Sequence, residues 1–351
     1  MTTKPEALEP LLLAPPNRIL VIPLRFIGDT VLSVPFIRNV ATLFPQAQLD
    51  VLVSKTAKPL LENCPYIHTL IEDPVSGVKT IQLLQKGFYD VAFSLRESFS
   101  TILYCRLAGI ATVVGYDHQR LPPPIGYKRW GLLLSRHADY PKPDAPIHQV
   151  QSHLNLLRAC GLVTQKDDLE LWSTQQDEKQ IDDLLAEHSL STIQPLAVIH
   201  TTSASAQKKT DPTLFEPVIS TLHDKGYRVI ATGAPGDRQL YEKLSNTTGI
   251  PLVNLAGKTS LTQTYALYRR IQLIVTVDSG PIHIAAAAYV PQIIGLYGPT
   301  NPAQWGPYSA VSKFTPVMLQ GASIAELQDR IITALDKIQP KAFSNTQPEG
   351  Q

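Results

Sequence analysis

The chain has 351 residues, 44% of them hydrophobic, with a formal net charge of +1. That length favours two domains, because single hydrophobic cores stop growing near roughly 250–300 residues, and the near-neutral balance lacks the basic footprint of a nucleic-acid binder. Cys64, Cys105 and Cys160 are odd in number and far apart, so neither a disulfide framework nor a zinc motif is indicated, and no window supplies the roughly 20 apolar residues of a spanning helix.

Near the start, Leu11–Ala14 is an apolar run set among Pro5, Pro10, Pro15 and Pro16. It is too short and too interrupted for a signal peptide, which with the scattered cysteines predicts a cytoplasmic chain. Peripheral membrane contact stays open. Arg18–Ile22 then predicts a buried strand, Arg25–Asp29 a loop, and Thr30–Phe44 a helix with Pro35 in its early turns. Leu49–Val53, Ile67–Ile71, Val91–Leu95 and Ala111–Val114 are further short strands, with helical segments between most of them. Residues 115–147 break this rhythm with Pro122–Pro124, Pro141, Pro143 and Pro146, and a loop of that length is usually functional. His148–Cys160 predicts a helix ending at Gly161.

The polar segment Ser173–Lys179 is the expected domain change, followed by a helix over Ile181–His188. Strands resume at Leu196–His200, Arg228–Thr232, Leu252–Leu255, Ile271–Val277 and Gln292–Tyr297, with helices at Thr213–Lys225, Asp237–Ser245 and Leu261–Arg270. Ser323 and Glu326 form a capping-box pattern before a last helix near Ile324–Ile338, and a polar tail, 341–351, is expected to be disordered. Strands alternating with helices predict mainly parallel sheets covered on both faces. The expected division is 1–172 and 173–340, two Rossmann-like domains.

Chemistry-bearing residues gather where strands end, which is where open α/β sheets bind ligands. Asp278-Ser279-Gly280-Pro281 closes a strand and opens a helix whose start suits a phosphate, with His283 one turn in; the same residues also read as a helix cap. His200-Thr201-Thr202-Ser203, followed by Lys208 and Lys209, offers hydroxyls, backbone N–H groups and charge to phosphate oxygens, or is a solvated Ser/Thr loop. Gly233-Ala-Pro-Gly-Asp237 places an acid for ribose hydroxyls or for a turn. Arg25-Phe-Ile-Gly28-Asp29 puts a carboxylate at a strand-to-helix junction, as a general base or a plain cap. Arg96, Arg106, Arg120, Lys128, Arg129, Arg136 and Lys142 concentrate positive charge in the first half near the Pro-rich loop, for phosphates, acidic sugars or anionic lipid headgroups, or are solvated charges on an ordinary surface. A dinucleotide-binding Gly-x-Gly-x-x-Gly, a Gly-x-Ser-x-Gly elbow and any Asp-x-Asp pair are missing from the sequence. The lack of Asp-x-Asp weighs against the metal-dependent type of sugar transferase.

In their order these segments resemble the heptosyltransferases of glycosyltransferase family 9. The resemblance rests on Arg25–Pro35, Gly233-Ala-Pro235, Leu255–Leu261, Asp278–His283 with Ala285–Ala287, Gly295–Pro302 and Trp305-Gly-Pro307. It implies a GT-B α/β fold, two Rossmann-like domains facing across a cleft, and an inverting transferase that needs no metal or other cofactor. The first domain would hold a glycolipid acceptor such as a lipopolysaccharide inner core, with Arg25, Arg96, Arg120 and Lys128 as acceptor candidates. The second would hold an activated sugar, most simply ADP-heptose, through Thr201, Thr202, Ser203, Lys208, Gly233, Asp237, Asp278, Ser279, Gly280 and His283. Asp29 would match the catalytic base, with Lys208 stabilising the leaving diphosphate. A place on the cytoplasmic face of the inner membrane follows from such an acceptor. Thr201-Thr202 in place of a frequent Pro-Gly, and Thr210 in place of a frequent Trp, depart from the family pattern. An epimerase or hydrolase on the same scaffold and a noncatalytic nucleotide-sugar-binding paralogue are the other readings.

Overall fold

The structure is a computed structural model, and it describes residues 15–117, 133–139, 146–190, 194–203, 205, 208 and 210–339. Arg120, Lys128, Arg129, Lys142, Lys209 and the tail 341–351 lie outside the described residues. Two compact units divide between Glu170 and Leu171.

The first unit runs β1 (Arg18–Ile22), α1 (Ile27–Leu43), β2 (Gln48–Val53), β3 (Thr69–Glu72), α2 (Gly77–Gly87), β4 (Val91–Ser94), α3 (Phe99–Leu107), β5 (Thr112–Asp117), β6 (Arg136–Asp139) and α4 (Gln149–Arg158). Its sheet has the order β3-β2-β1-β4-β5-β6, all parallel. The second runs α5 (Gln175–Glu187), β7 (Leu196–His200), α6 (Phe215–Asp224), β8 (Arg228–Ala231), α7 (Arg238–Thr248), β9 (Val253–Asn254), α8 (Leu261–Tyr268), β10 (Leu273–Val277), α9 (Gly280–Ala287), β11 (Gln292–Tyr297), α10 (Pro302–Trp305), β12 (Lys313–Met318) and α11 (Ile324–Asp336). Its order is β12-β11-β10-β7-β8-β9, again parallel. Counted within its unit, each sheet has the same order, the doubly wound arrangement with helices on both faces.

Central strands in such a sheet are buried on both sides and read as unbroken apolar runs. Every residue of β10, Leu-Ile-Val-Thr-Val, is buried, and so are Ile19–Ile22 of β1. Each unit has its own core. Leu20, Ile22, Ala92 and Val113 meet Ile102 and Cys105 in the first, while Val275, Ile199 and Ala231 meet Phe215, Val218, Tyr241 and Ile331 in the second.

Three expectations need correction. The units divide just before Ser173–Lys179 and not within it: Thr174 and Asp177 form the capping box of α5, and Glu178 pairs with Arg269 and Arg270. The chain passes between units just before it, because Arg38 of α1 holds Asp168 and Glu170 and Asn39 holds Gln165 and Lys166. Second, Arg25–Asp29 is only partly a loop, since α1 begins at Ile27. Third, the Pro-rich stretch contains β6, which pairs with β5.

Candidate functional site

The strand order reverses between β7 and β10 in the second unit and between β1 and β4 in the first. The crevice outside the carboxyl ends of two such strands is the usual ligand site of the fold. In the second unit His200 ends β7 and Asp278 follows β10, so their loops flank that crevice.

Asp278 is 2% exposed, and its N–H donates to Leu296 O at 2.9 Å, carrying the ladder one residue past β10. Its Oδ2 receives Lys208 Nζ at 2.7 Å and the Thr300 hydroxyl. A buried carboxylate needs such partners. Ser279 precedes α9, but its hydroxyl donates to Val277 O at 3.2 Å and makes no cap bond to the helix. The plain capping reading of Asp278-Ser279 therefore does not hold. The helix starts at Gly280, with Pro281 in its first turn and His283 buried. The ammonium of Lys208 thus sits on a carboxylate two residues before the start of α9, an arrangement suited to a second, competing anion.

Beside it, Asp237 Oδ2 accepts from the Thr202 hydroxyl at 2.8 Å and from Ala234 N at 2.7 Å. Gly233 is needed there, because a Cβ at that position would lie 2.5 Å from Asp237 Oδ2. Ser203 accepts from Ser205 N at 3.3 Å.

Thr201 is placed differently from its neighbours. It is 3% exposed, and its N–H and hydroxyl both donate to the Tyr241 oxygen, at 3.1 and 3.2 Å. It therefore supports the loop from beneath rather than offering its donors to a ligand. Tyr241 in turn donates to Thr232 O at 2.8 Å, and the Thr232 hydroxyl meets Tyr268 Oη at 3.1 Å and His200 Nδ1 at 3.2 Å. Burial pushes His200 down to about 4, against the opposing pull of Asp237, so the ring is neutral at pH 7. This network is a polar floor for the two loops above it.

In the first unit Asp29 is half-buried in the first turn of α1. The cap position is Phe26, whose side chain cannot cap, so Asp29 is not the N-cap. A carboxylate there gains from the helix dipole. Arg25 and Arg96, from the loops after β1 and β4, share one carboxylate: Arg96 Nη1 lies 2.7 Å and Arg25 Nη2 3.7 Å from Asp73 Oδ2. Arg106 is structural, since Nε and Nη1 donate to Leu133 O, Ile110 O and Ala111 O. Arg136 is part of β6.

Thr300 and Asp73 were missed at the level of sequence. Thr300 lies just past β11, which neighbours the crevice strand β10, while Asp73 lies just past the edge strand β3, two places from β1; the sheet order is the signal that locates them.

The fold is that of a GT-B α/β protein. It is similar to the crystal structure of a glycosyl transferase family 9 protein from Veillonella parvula, with a TM-score of 0.74, 20% identity, and coverage of 92% of this chain and 90% of that one. It is also similar to the E. coli ADP-heptose lps heptosyltransferase II structure, with a TM-score of 0.71, 24% identity, and coverage of 91% and 98%. Among sequences, lipopolysaccharide heptosyltransferase 2 of E. coli K12 is 28% identical over 340 residues, covering 92% of this chain and 90% of its own. Residues 78–323 match the family model for glycosyltransferase family 9 (heptosyltransferase). The chain belongs to glycosyltransferase family 9, and it is a glycosyltransferase.

Proposed function

We propose that the protein transfers heptose from ADP-heptose to a saccharide of the lipopolysaccharide inner core, with inversion and without a metal ion. The observation that carries the reading is Lys208 held on Asp278 at the start of α9, beside the Asp237–Thr202 pair. The similar E. coli proteins named above act with ADP-heptose or on lipopolysaccharide by their names.

In this mechanism the acceptor oxygen attacks the anomeric carbon as Asp29 takes its proton. The bond from that carbon to the diphosphate oxygen breaks, its electron pair stays on ADP, and configuration inverts. Lys208 turns from Asp278 to the diphosphate, and the N–H end of α9 faces the same growing charge. Preorganised positive groups of this kind supply what a metal would otherwise supply. Asp237 accepts from the ribose, and Ser203, Gly280 and His283 border the donor.

The acceptor's lipid places the enzyme on the cytoplasmic face of the inner membrane. No helix among the described residues is long and apolar enough to cross a membrane. Peripheral contact is supported by α2 and α3, which expose Val78, Phe99 and Leu107, expose Lys79 and Lys86, and contain no acidic residue. Salt-sensitive co-sedimentation with anionic but not neutral vesicles is the expected result.

The decisive experiment is a thermal-shift screen with ADP-, GDP- and UDP-sugars, followed by turnover with the hits and product analysis. ADP-heptose should stabilise the protein and be transferred to the core acceptor. Stabilisation by UDP-sugars alone, or conversion of the donor without an acceptor, would overturn the reading.

A further inference from the structure

The switch point of the first unit contains a cavity of about 250 Å³. That is smaller than the roughly 300–1,000 Å³ of sites that enclose drug-sized ligands, so it suits a small group carried by a larger molecule. Arg96 lines it and is 7% exposed. Its Nε donates to Pro23 O at 2.7 Å and its Nη1 to Asp73 Oδ2 at 2.7 Å. Its Nη2 is buried and has no hydrogen-bond partner among the described residues. A buried, charged donor left unpaired is costly and calls for an acceptor.

The rest of the lining points to the same kind of acceptor. Arg25 is a second guanidinium on the same Asp73 oxygen, so two cations face one carboxylate and one positive charge remains. Burial is the largest single influence on the Asp73 carboxyl and raises it, but the hydrogen bonds from Arg96 and Val75 N and the charges of Arg96 and Arg25 together outweigh it and hold the group below its usual range, so that carboxylate stays ionised. Two helix starts also meet the cavity: Gly77 and Thr80 of α2, and Ser100 and Thr101 of α3. Neither N-cap, Ser76 or Ser98, makes a side-chain cap bond to its helix. At Gly77 a Cβ would lie 2.7 Å from Tyr104 Oη, so the missing side chain lets the Tyr104 ring, which also lines the cavity, pack against the start of α2. Two guanidinium groups and two helix starts therefore line one cavity, which suits an anion with several acceptor oxygens, such as a phosphoryl group.

We propose that this cavity is a phosphoryl subsite that takes one phosphate monoester group carried by the acceptor saccharide. Arg96 Nη2 and Arg25 pair with its oxygens, and the first turns of α2 and α3 donate to it. The source of the phosphate rests on the transfer reading above; the oxyanion site itself does not.

The test uses the full chain at constant ionic strength. Inorganic phosphate binding is measured by calorimetry in the wild type, Arg96→Gln and Arg25→Gln. Affinity should fall at least about tenfold in Arg96→Gln and severalfold in Arg25→Gln. Should Arg96→Gln fail to fold, Thr101→Val and Arg25→Gln carry the comparison. Asp73→Asn removes the competing carboxylate, so phosphate should bind it more tightly than the wild type. Transfer is then compared, at saturating ADP-heptose, between a phosphorylated acceptor and the same acceptor after phosphatase treatment. Dephosphorylation should raise the wild-type KM about tenfold with little change in kcat, and Arg25→Gln should erase most of that difference.

Phosphate binding unaltered by these substitutions overturns the site. Equal KM for the two acceptors, with phosphate binding lost in the variants, overturns the acceptor as its source and assigns the cavity to free phosphate. Phosphate binding without any transfer from ADP-heptose sinks the transfer reading and leaves the oxyanion site standing.

Discussion

Replacing Lys208 by Ala tests the centre of the proposed donor site, because it removes one partner of a carboxylate that is 2% exposed. Breaking a fully buried pair costs about 3–5 kcal/mol. That is an upper bound here, for two reasons. The Lys208 side chain is 28% exposed, and the Thr300 hydroxyl remains on the same oxygen. A charge-assisted hydrogen bond is worth about 1.5–3 kcal/mol, and partial solvation puts this one in the lower half, about 1.5–2 kcal/mol. For a unit of this size each kcal/mol moves Tm by about 2–4 °C, so the second unit should melt about 3–8 °C lower. Scanning calorimetry of the full chain reads that shift, with ADP added in a second scan to mark the donor unit. Loss of one preorganised charge should also slow transfer by about 10²–10³-fold. A double-mutant cycle with Asp278→Asn should return a coupling energy of about 1–2 kcal/mol. Unchanged melting, unchanged ADP affinity and zero coupling together would refute the assignment of Lys208 to the donor site.

The remaining predictions concern other parts of the chain. Asp29→Asn should keep ADP affinity and lose about 10²–10⁴-fold in turnover with an authentic acceptor; undiminished turnover removes Asp29 as the base. Gly233→Ala forces a Cβ against Asp237 and should cost about 1–3 kcal/mol while weakening ADP binding, and equal affinity by calorimetry would free Asp237 of a donor role. Burial pushes His153 down to about 4 from the usual 6.5, while Gln149 donates to its Nε2 and Leu32 O accepts at its Nδ1. The unfolded chain therefore takes the proton first as pH falls. His153's share of stability is complete above about pH 6.5 and is lost toward pH 4, by about 1.4 kcal/mol per pH unit. His153→Gln should flatten that part of the Tm-against-pH curve for the first unit, and an unaltered slope would contradict it.

How far the sequence could be read follows from where each residue sits in its sheet. The ends of β1, β7 and β11 were predicted to the residue, because central parallel strands must be apolar throughout. β6 and β12 were not predicted. Each pairs with a single neighbour, and Arg136-His-Ala-Asp139 and Lys313–Met318 with Pro316 carry no apolar run. Such edge strands are defined by pairing, and pairing is not written in local composition. The start of α1 was hidden for a related reason: Phe26 lacks the hydroxyl or carboxamide that usually marks an N-cap. Asp278, Lys208 and Asp237 were visible as polar residues at strand ends. The exchange between Lys208 and Asp278 was not, since they are joined only by β7 lying next to β10. Thr201 and Thr202 looked equivalent. Side chains alternate along an extended chain, so one turns to Tyr241 and its neighbour to Asp237.

The two sheets share a strand order but no strand, and each closes over its own core. That makes the chain modular. On the proposed reading, the acceptor is recognised by loops after β1, β3 and β4 of the first unit and the donor by loops after β7, β8 and β10 of the second. A chimaera joining residues 1–170 of this chain to the C-terminal unit of a relative should therefore keep this chain's choice of acceptor and adopt the relative's choice of donor, which competition between paired substrates would reveal.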